Sequence, residues 1–297
     1  MKKLLIIFLS ILCLTGCFKR DDMENINIYT TIYPITYITE RLYGEYSNIE
    51  SIYPDGVNVQ LENCEQCSNL LYTLTDKQLS DYSKTDLFIF NSLLYEGKYV
   101  EPMFKNNKNL KIINATDNLL ENEFYGLEEI WLDPTRLLTI ARNIKKGFDE
   151  YIDNYYLKQN IDNNFNILKE ELDKLGARFA DLTNSADNKI LVTNDEVFNF
   201  LSKEKYGLTV YVLNENSTQK TIDTIKNLIN EGKVKYIYIK QYDEINDTIN
   251  NLIENTDIEV IKLHMLTNLT ENEISNKQDY FTIMNQNMEE LKKQLYN

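Results

Sequence analysis

The chain has 297 residues, 43% of them hydrophobic and 26% charged, which excludes a disordered polymer and leaves room for two lobes of about 100–150 residues each. Its 46 Asp and Glu outnumber its 31 Lys and Arg, a formal charge of −15, so nucleic acid and anionic membrane faces are excluded as partners held by charge alone. The single histidine excludes a site built on several imidazoles, and no Gly-rich phosphate loop, HExxH or Gly-x-Ser-x-Gly occurs, so no enzyme constellation emerges.

Lys2 and Lys3 precede an apolar run, Leu4 to Leu12, that is too short to span a bilayer. Leu14-Thr15-Gly16-Cys17 follows and reads as a lipobox, with small residues ahead of a cysteine whose thiol takes a diacylglyceryl group. Residues 1–16 are therefore expected to be a removable signal peptide, Cys17 the lipidation site, and residues 17–26 a charged tether. This places the protein, by its lipid anchor, on the extracytoplasmic face of the cell membrane. Of the four cysteines, Cys13 leaves with the leader; Cys64 and Cys67 remain in Cys64-Glu65-Gln66-Cys67, open to a short-loop disulfide, to unpaired thiols, or to half of a soft-metal site.

The first strand is predicted over Ile26 to Tyr33, β-branched and aromatic, and Pro34 ends it. Ile35, Ile38 and Leu42 keep helical spacing before Gly44. Ile49 to Tyr53 is a second strand, turned by Pro54-Asp55-Gly56. Thr75 to Tyr82 is a capped helix, and Leu87-Phe88-Ile89-Phe90 is a strand of the kind buried in a parallel sheet, with another over Leu110 to Ile113. Asp133-Pro134 opens a long helical run in which Leu137, Ile140, Ile144 and Phe148, then Phe165, Leu168, Leu172 and Phe179, keep the period to about Leu182, with a weaker stretch around Asn160.

The second half repeats the alternation. Strands are predicted over Lys189 to Thr193, Leu208 to Leu213, Tyr236 to Lys240 and Glu259 to Leu263. Between and after them come helices over Glu196 to Tyr206, Thr218 to Asn230, Glu244 to Asn255 and Asp279 to Tyr296. The fold class is therefore α/β: an N-terminal lobe over 27–132 and a C-terminal lobe over 186–297, each with a central, mainly parallel sheet, bridged by one long helix over 133–185. A ligand is expected in the cleft beyond the carboxyl ends of the strands.

Several segments, taken in order and spacing, resemble the metal-specific (zinc/manganese) substrate-binding lipoproteins of ABC transporters, the cluster A-I or cluster 9 group. They are Thr30-Thr31-Ile32-Tyr33-Pro34, Tyr53-Pro54-Asp55-Gly56-Val57, Lys84 to Asn91 with Glu96 beyond, Trp131-Leu132-Asp133-Pro134, Val192 to Phe198, Lys205-Tyr206-Gly207-Leu208, and Asp279 to Asn287. The resemblance covers essentially the whole mature chain. It implies two lobes bridged by a rigid helix, with one divalent cation between them as transported ligand.

The resemblance also implies ligand positions, and here the chain departs from the family. The first histidine position falls in a stretch with about ten extra residues, a spacing that reads as an inserted loop; counting from the turn gives Gln60, counting back from Tyr72 gives Leu70, and the stretch carries Cys64 and Cys67 as replacement donors. The second position is Glu129, the third Asp195 and the fourth His264, the chain's only histidine. Two carboxylates and an imidazole offset a divalent ion, and oxygen donors suit manganese and, less selectively, zinc or iron. Each residue also has a plainer reading: Glu129 as a solvated loop residue, Asp195 as a helix cap, His264 as a lone loop histidine. The expectation is thus a monomeric, lipid-anchored, non-enzymatic solute-binding protein that captures zinc or manganese and serves an ABC permease and its ATPase. The alternative is a family member with a degenerate metal site, acting as a surface adhesin-like or non-metal-binding lipoprotein.

Overall fold

The computed structural model describes residues 23–55, 72–93, 96–119, 125–202 and 204–297. In the first lobe, β1 (Ile26–Thr30) leads through α1 (Tyr33–Tyr43) to β2 (Ser47–Ser51), then α2 (Asp76–Tyr82), β3 (Leu87–Phe90), α3 (Gly97–Asn106) and β4 (Lys111–Asn114). The four strands are all parallel, in the order β2-β1-β3-β4. The apolar run Leu87–Phe90 is buried at every residue, as a strand covered on both faces must be. Thr75 caps α2 in a reciprocal box with Gln78. The helix α3 carries Gly97 at its first position and Pro102 within it, and propensity gives no sign of it.

A four-residue helix, α4 (Glu129–Leu132), precedes the helical run. That run is two helices, α5 (Pro134–Tyr151) and α6 (Tyr155–Asn184), rather than one rod. The break falls where the Asn154 carboxamide oxygen accepts from the Tyr156 and Leu157 amides and so starts a new helix. Lys145 pairs with Asp162 at 2.6 Å and Lys158 donates to the Asp149 carbonyl at 2.8 Å, which fixes the two helices antiparallel. At 1.5 Å per residue α6 is about 45 Å long. It packs on α1 through the Asn164–Leu42 contact and reaches the second lobe, where Tyr296 donates to the Leu182 carbonyl. The bridge is therefore the single helix α6.

The second lobe holds β5 (Ile190–Thr193), a 3-10 helix (Glu196–Leu201), β6 (Thr209–Val212), α7 (Gln219–Asn230), β7 (Tyr236–Lys240), α8 (Asp247–Ile253), β8 (Glu259–Leu263), α9 (Glu271–Ser275) and α10 (Tyr280–Leu295). Its strands are parallel in the order β6-β5-β7-β8, the same winding as the first sheet. The helix expected to reach Tyr206 is a short 3-10 segment instead. Val197, Phe198, Phe200 and Leu201 are all buried, and the segment ends where the Ser202 amide donates to the Asn199 carbonyl and Ser202 pairs with Leu208. One face of this sheet joins the large core that runs through both lobes; the other closes a small core of Val192, Leu213, Ile225, Val234, Ile237, Ile239 and Ile249.

The segment after β8 docks the lobes together. Tyr33 donates its amide to the Thr267 carbonyl (3.1 Å), Asn268 its side-chain amide to the Pro54 carbonyl (2.9 Å), and Trp131 its indole N–H to the Met265 carbonyl (2.8 Å). The Tyr280 hydroxyl closes the set on the Trp131 carbonyl at 2.7 Å. The Trp131 indole N–H and carbonyl thus both reach across the seam while its ring is fully buried.

Candidate metal centre at the lobe seam

In each sheet the chain leaves its founding strand (β1, β5) in opposite directions, so a crevice opens at the carboxyl ends of β5 and β7. Asp195 lies two residues past β5 and Lys240 is the last residue of β7. Asn194 ties the two loops through its side chain: its Oδ1 accepts from the Lys240 backbone amide (3.1 Å) and its Nδ2 donates to Asp243 Oδ2 (2.6 Å). The Lys240 ammonium is thereby aimed at the seam. It lies 3.0 Å from Glu128 Oε1, contributed from the other side by the segment leading into α4, and 3.3 Å from Asp195 Oδ2. Burial by itself pulls the Lys240 pKa down; the Glu128 and Asp195 carboxylates outweigh it and hold the ammonium above the ordinary lysine value.

Glu129 is 3% exposed, a buried residue rather than a solvated one. Its Oε2 accepts from the Tyr125 amide (2.9 Å) and its Oε1 from Arg136 Nε (2.8 Å). Burial raises its pKa, against the pull of that amide and of Arg136. Asp195 Oδ1 accepts from the Val197 amide (2.8 Å), so the residue both caps the 3-10 helix and faces Lys240. A further pair, Lys205 with Asp133, ties the second lobe to the start of α5.

His264 begins the docking segment. Asn287 on α10 grips its backbone from both sides, accepting from its amide (3.0 Å) and donating to its carbonyl (2.8 Å). Its Nδ1 accepts from the Leu266 amide at 2.9 Å. A neutral imidazole that accepts at Nδ1 carries its proton on Nε2, a tautomer assigned from this hydrogen bond. That Nε2 is buried, 3.3 Å from Glu273 Oε1, without the alignment of a hydrogen bond. Burial lowers the His264 pKa despite Glu273, so the ring is neutral near pH 7 and offers no free lone pair in this arrangement.

Glu129, Asp195 and His264 each turn to a partner of their own: Arg136, Lys240 and Glu273. Among the described residues no three His, Cys, Asp or Glu side chains form a group able to hold a metal ion. Cys17, Gln60, Cys64 and Cys67 lie outside the described residues. An open hollow of about 580 Å³ lies elsewhere along the seam, lined by Tyr33, Tyr37 and Tyr53 with Glu40, Asn268 and Asp279 among others, and none of the three residues borders it. Sequence reasoning missed Glu128, Lys240 and Arg136. A lysine closing a strand at the carboxyl edge of a parallel sheet was the available signal for Lys240.

Two like-wound α/β lobes that meet at a charged seam, bridged by one helix, define a two-lobed binding-protein architecture. The chain belongs to the family of the zinc-uptake complex component A periplasmic protein, ZnuA, whose model matches residues 28–294. It is 23% identical over 321 residues to the zinc-binding lipoprotein AdcA of Streptococcus pneumoniae R6, covering 98% of this chain and 61% of that protein. It is also 29% identical over 172 residues to the zinc-binding protein AdcA of Streptococcus pyogenes serotype M1, covering 55% of this chain and 32% of that protein. The chain thus spans about three-fifths of the length of the curated relatives it matches end to end. The Zn(II)-bound ZnuA-like domain of Streptococcus pneumoniae AdcA superposes with a TM-score of 0.69 at 22% identity, covering 92% of this chain and 100% of that domain. The metal-dependent lipoprotein YcdH of Bacillus subtilis gives 0.70 at 22% identity, with the same coverage. Among the described residues no helix is long and apolar enough to cross a membrane.

Proposed function

We propose that this chain is the lipid-anchored, non-enzymatic solute-binding component of an ABC importer, tethered through Cys17, which captures a divalent metal ion at the lobe seam and presents it to a permease and its ATPase. The observation that carries this is the family match over residues 28–294. Zinc is the first candidate, because the relatives are named for it, and manganese the second, because carboxylate donors suit it. Glu129, Asp195 and His264 are the ligand positions on described residues, with Gln60, Cys64 and Cys67 as further donors. For an ion to settle there, Arg136 and Lys240 must give up their carboxylates and the His264 proton must move from Nε2 to Nδ1, at the cost of the Leu266 hydrogen bond.

Isothermal titration of metal-free protein with zinc, manganese and magnesium tests the proposal, together with unfolding in each metal. The expected result is one zinc per chain and, at a hundredfold excess over Kd, about 2.7 kcal/mol of added stability. No heat and no stabilisation with either zinc or manganese would sink it. The same seam favours a second reading, since each candidate ligand among the described residues already has a partner. On that reading the metal site is degenerate and the chain is an adhesin-like or non-metal-binding lipoprotein. Glu129→Ala combined with Asp195→Ala then leaves stability in zinc unchanged, whereas metal capture requires that zinc stabilise the double variant far less than the parent.

A further inference from the structure

The seam holds a cation already, and it is covalently part of the chain. Glu128, from the segment ahead of α4, and Asp195, from the loop after β5, belong to opposite lobes, and one ammonium lies within 3.0 and 3.3 Å of their carboxylate oxygens. Lys240 and Glu128 are largely shielded from water, at 13% and 9% exposed, and Asp195 is 25% exposed, so the attraction between Lys240 and Glu128 is the least screened. The Lys240 backbone is fixed by Asn194, and Asn194 by Asp243, so the ammonium is positioned rather than wandering. Two carboxylates drawn from two lobes toward one positive centre is the charge arrangement a divalent ion needs. Here a tethered monovalent ion supplies half of that charge.

We infer that Lys240 is the resident cation of the interlobe seam: it bridges Glu128 and Asp195 in the metal-free protein and, by competing for those carboxylates, sets how tightly the seam takes a divalent ion. A metal entering between them meets a positive charge that must move. Removal of that charge leaves two carboxylates whose combined charge matches a divalent ion. Lys240 is therefore a determinant of affinity, and Glu128, which no spacing argument singled out, is a carboxylate the ion competes for. The inference rests on the seam being where metal is captured, and the test separates the two.

Zinc titration is run on the parent chain, Lys240→Met and Lys240→Arg, with circular dichroism to show that each folds. The expected result is at least tenfold tighter zinc binding by Lys240→Met, none of that gain in Lys240→Arg, and a lower metal-free unfolding temperature for Lys240→Met that zinc restores. A purely structural lysine would not produce tighter binding on loss of its charge. Equal or weaker zinc binding by Lys240→Met, with the parent binding normally, overturns the inference and leaves metal capture standing. Binding by Lys240→Met alone supports the inference while showing that the parent does not capture zinc. Binding by neither overturns both. Should Lys240→Met not fold, Lys240→Gln, which still donates to Glu128, is measured in its place with the same readings.

Discussion

In the first lobe the carboxyl beyond β3 is Glu96, fully buried, with Oε1 accepting from the Tyr53 hydroxyl at 3.1 Å and Oε2 left without a hydrogen bond. In the second, the carboxyl beyond β5 is Asp195, which meets an ammonium and a backbone amide. The strands that present them run in the same order in both sheets. Burial pushes Glu96 up to about 8, so it enters the native state as a neutral acid; at the seam, burial raises Glu128 too, but Lys240 lies beside it and pulls the other way. One topology therefore supports two ways of burying an acid, and the loops decide which.

Substitutions can sharpen or break this contrast, beginning with the joint between the lobes. Trp131→Ala removes a fully buried ring and empties its place at the seam, and a loss of about 3–5 kcal/mol is expected in urea unfolding. Separate transitions for the two lobes in that variant would show that the seam couples them.

Glu96→Gln and Glu128→Gln should respond in opposite senses. The unfolded chain sheds the Glu96 proton near pH 4.5 and the native chain near 8. Between those values the native state holds one proton more, so parental stability falls with rising pH by about 1.4 kcal/mol per unit, and this contribution is intact only below the unfolded value. Glu96→Gln removes that slope: it should match the parent at pH 4 and exceed it at pH 9, as read by unfolding across the range. A parent whose stability does not decline over that interval would refute the neutral-acid account. Glu128→Gln, by contrast, takes a charged partner from Lys240 and should cost about 2 kcal/mol at pH 7.

The smallest pair of effects lies on the two long helices. A methyl on Gly147 of α5 would stand 2.5 Å from the Ile113 side chain of β4, so Gly147→Ala should cost about 1–3 kcal/mol. On α6, Gly176 has nothing within 4 Å, and Gly176→Ala should add about 0.5–1 kcal/mol through helix propensity alone. Thermal unfolding of both variants side by side checks the signs.

Much of this molecule was legible before any coordinates. The apolar run Leu87–Phe90, the capped start at Asp133-Pro134 and the alternation of strands and helices are local signals, and each produced its element. The helix over 97–106 was hidden by Gly97 and Pro102, and the fold-back at Asn154 by a periodicity that looks alike on either side of a break. Of the candidate site, the family resemblance picked out Glu129, Asp195 and His264 but said nothing of their partners.

What the sequence determined by itself is what short-range chemistry controls: which stretches are extended or helical, and that two α/β units follow one another. Only the tertiary structure decided the electrostatics of the seam. Lys240 stands 112 positions from Glu128, and Asp133 is 72 from Lys205. Such charges acquire one another only when the lobes dock and water is driven from between them, and no periodicity along the chain records that meeting.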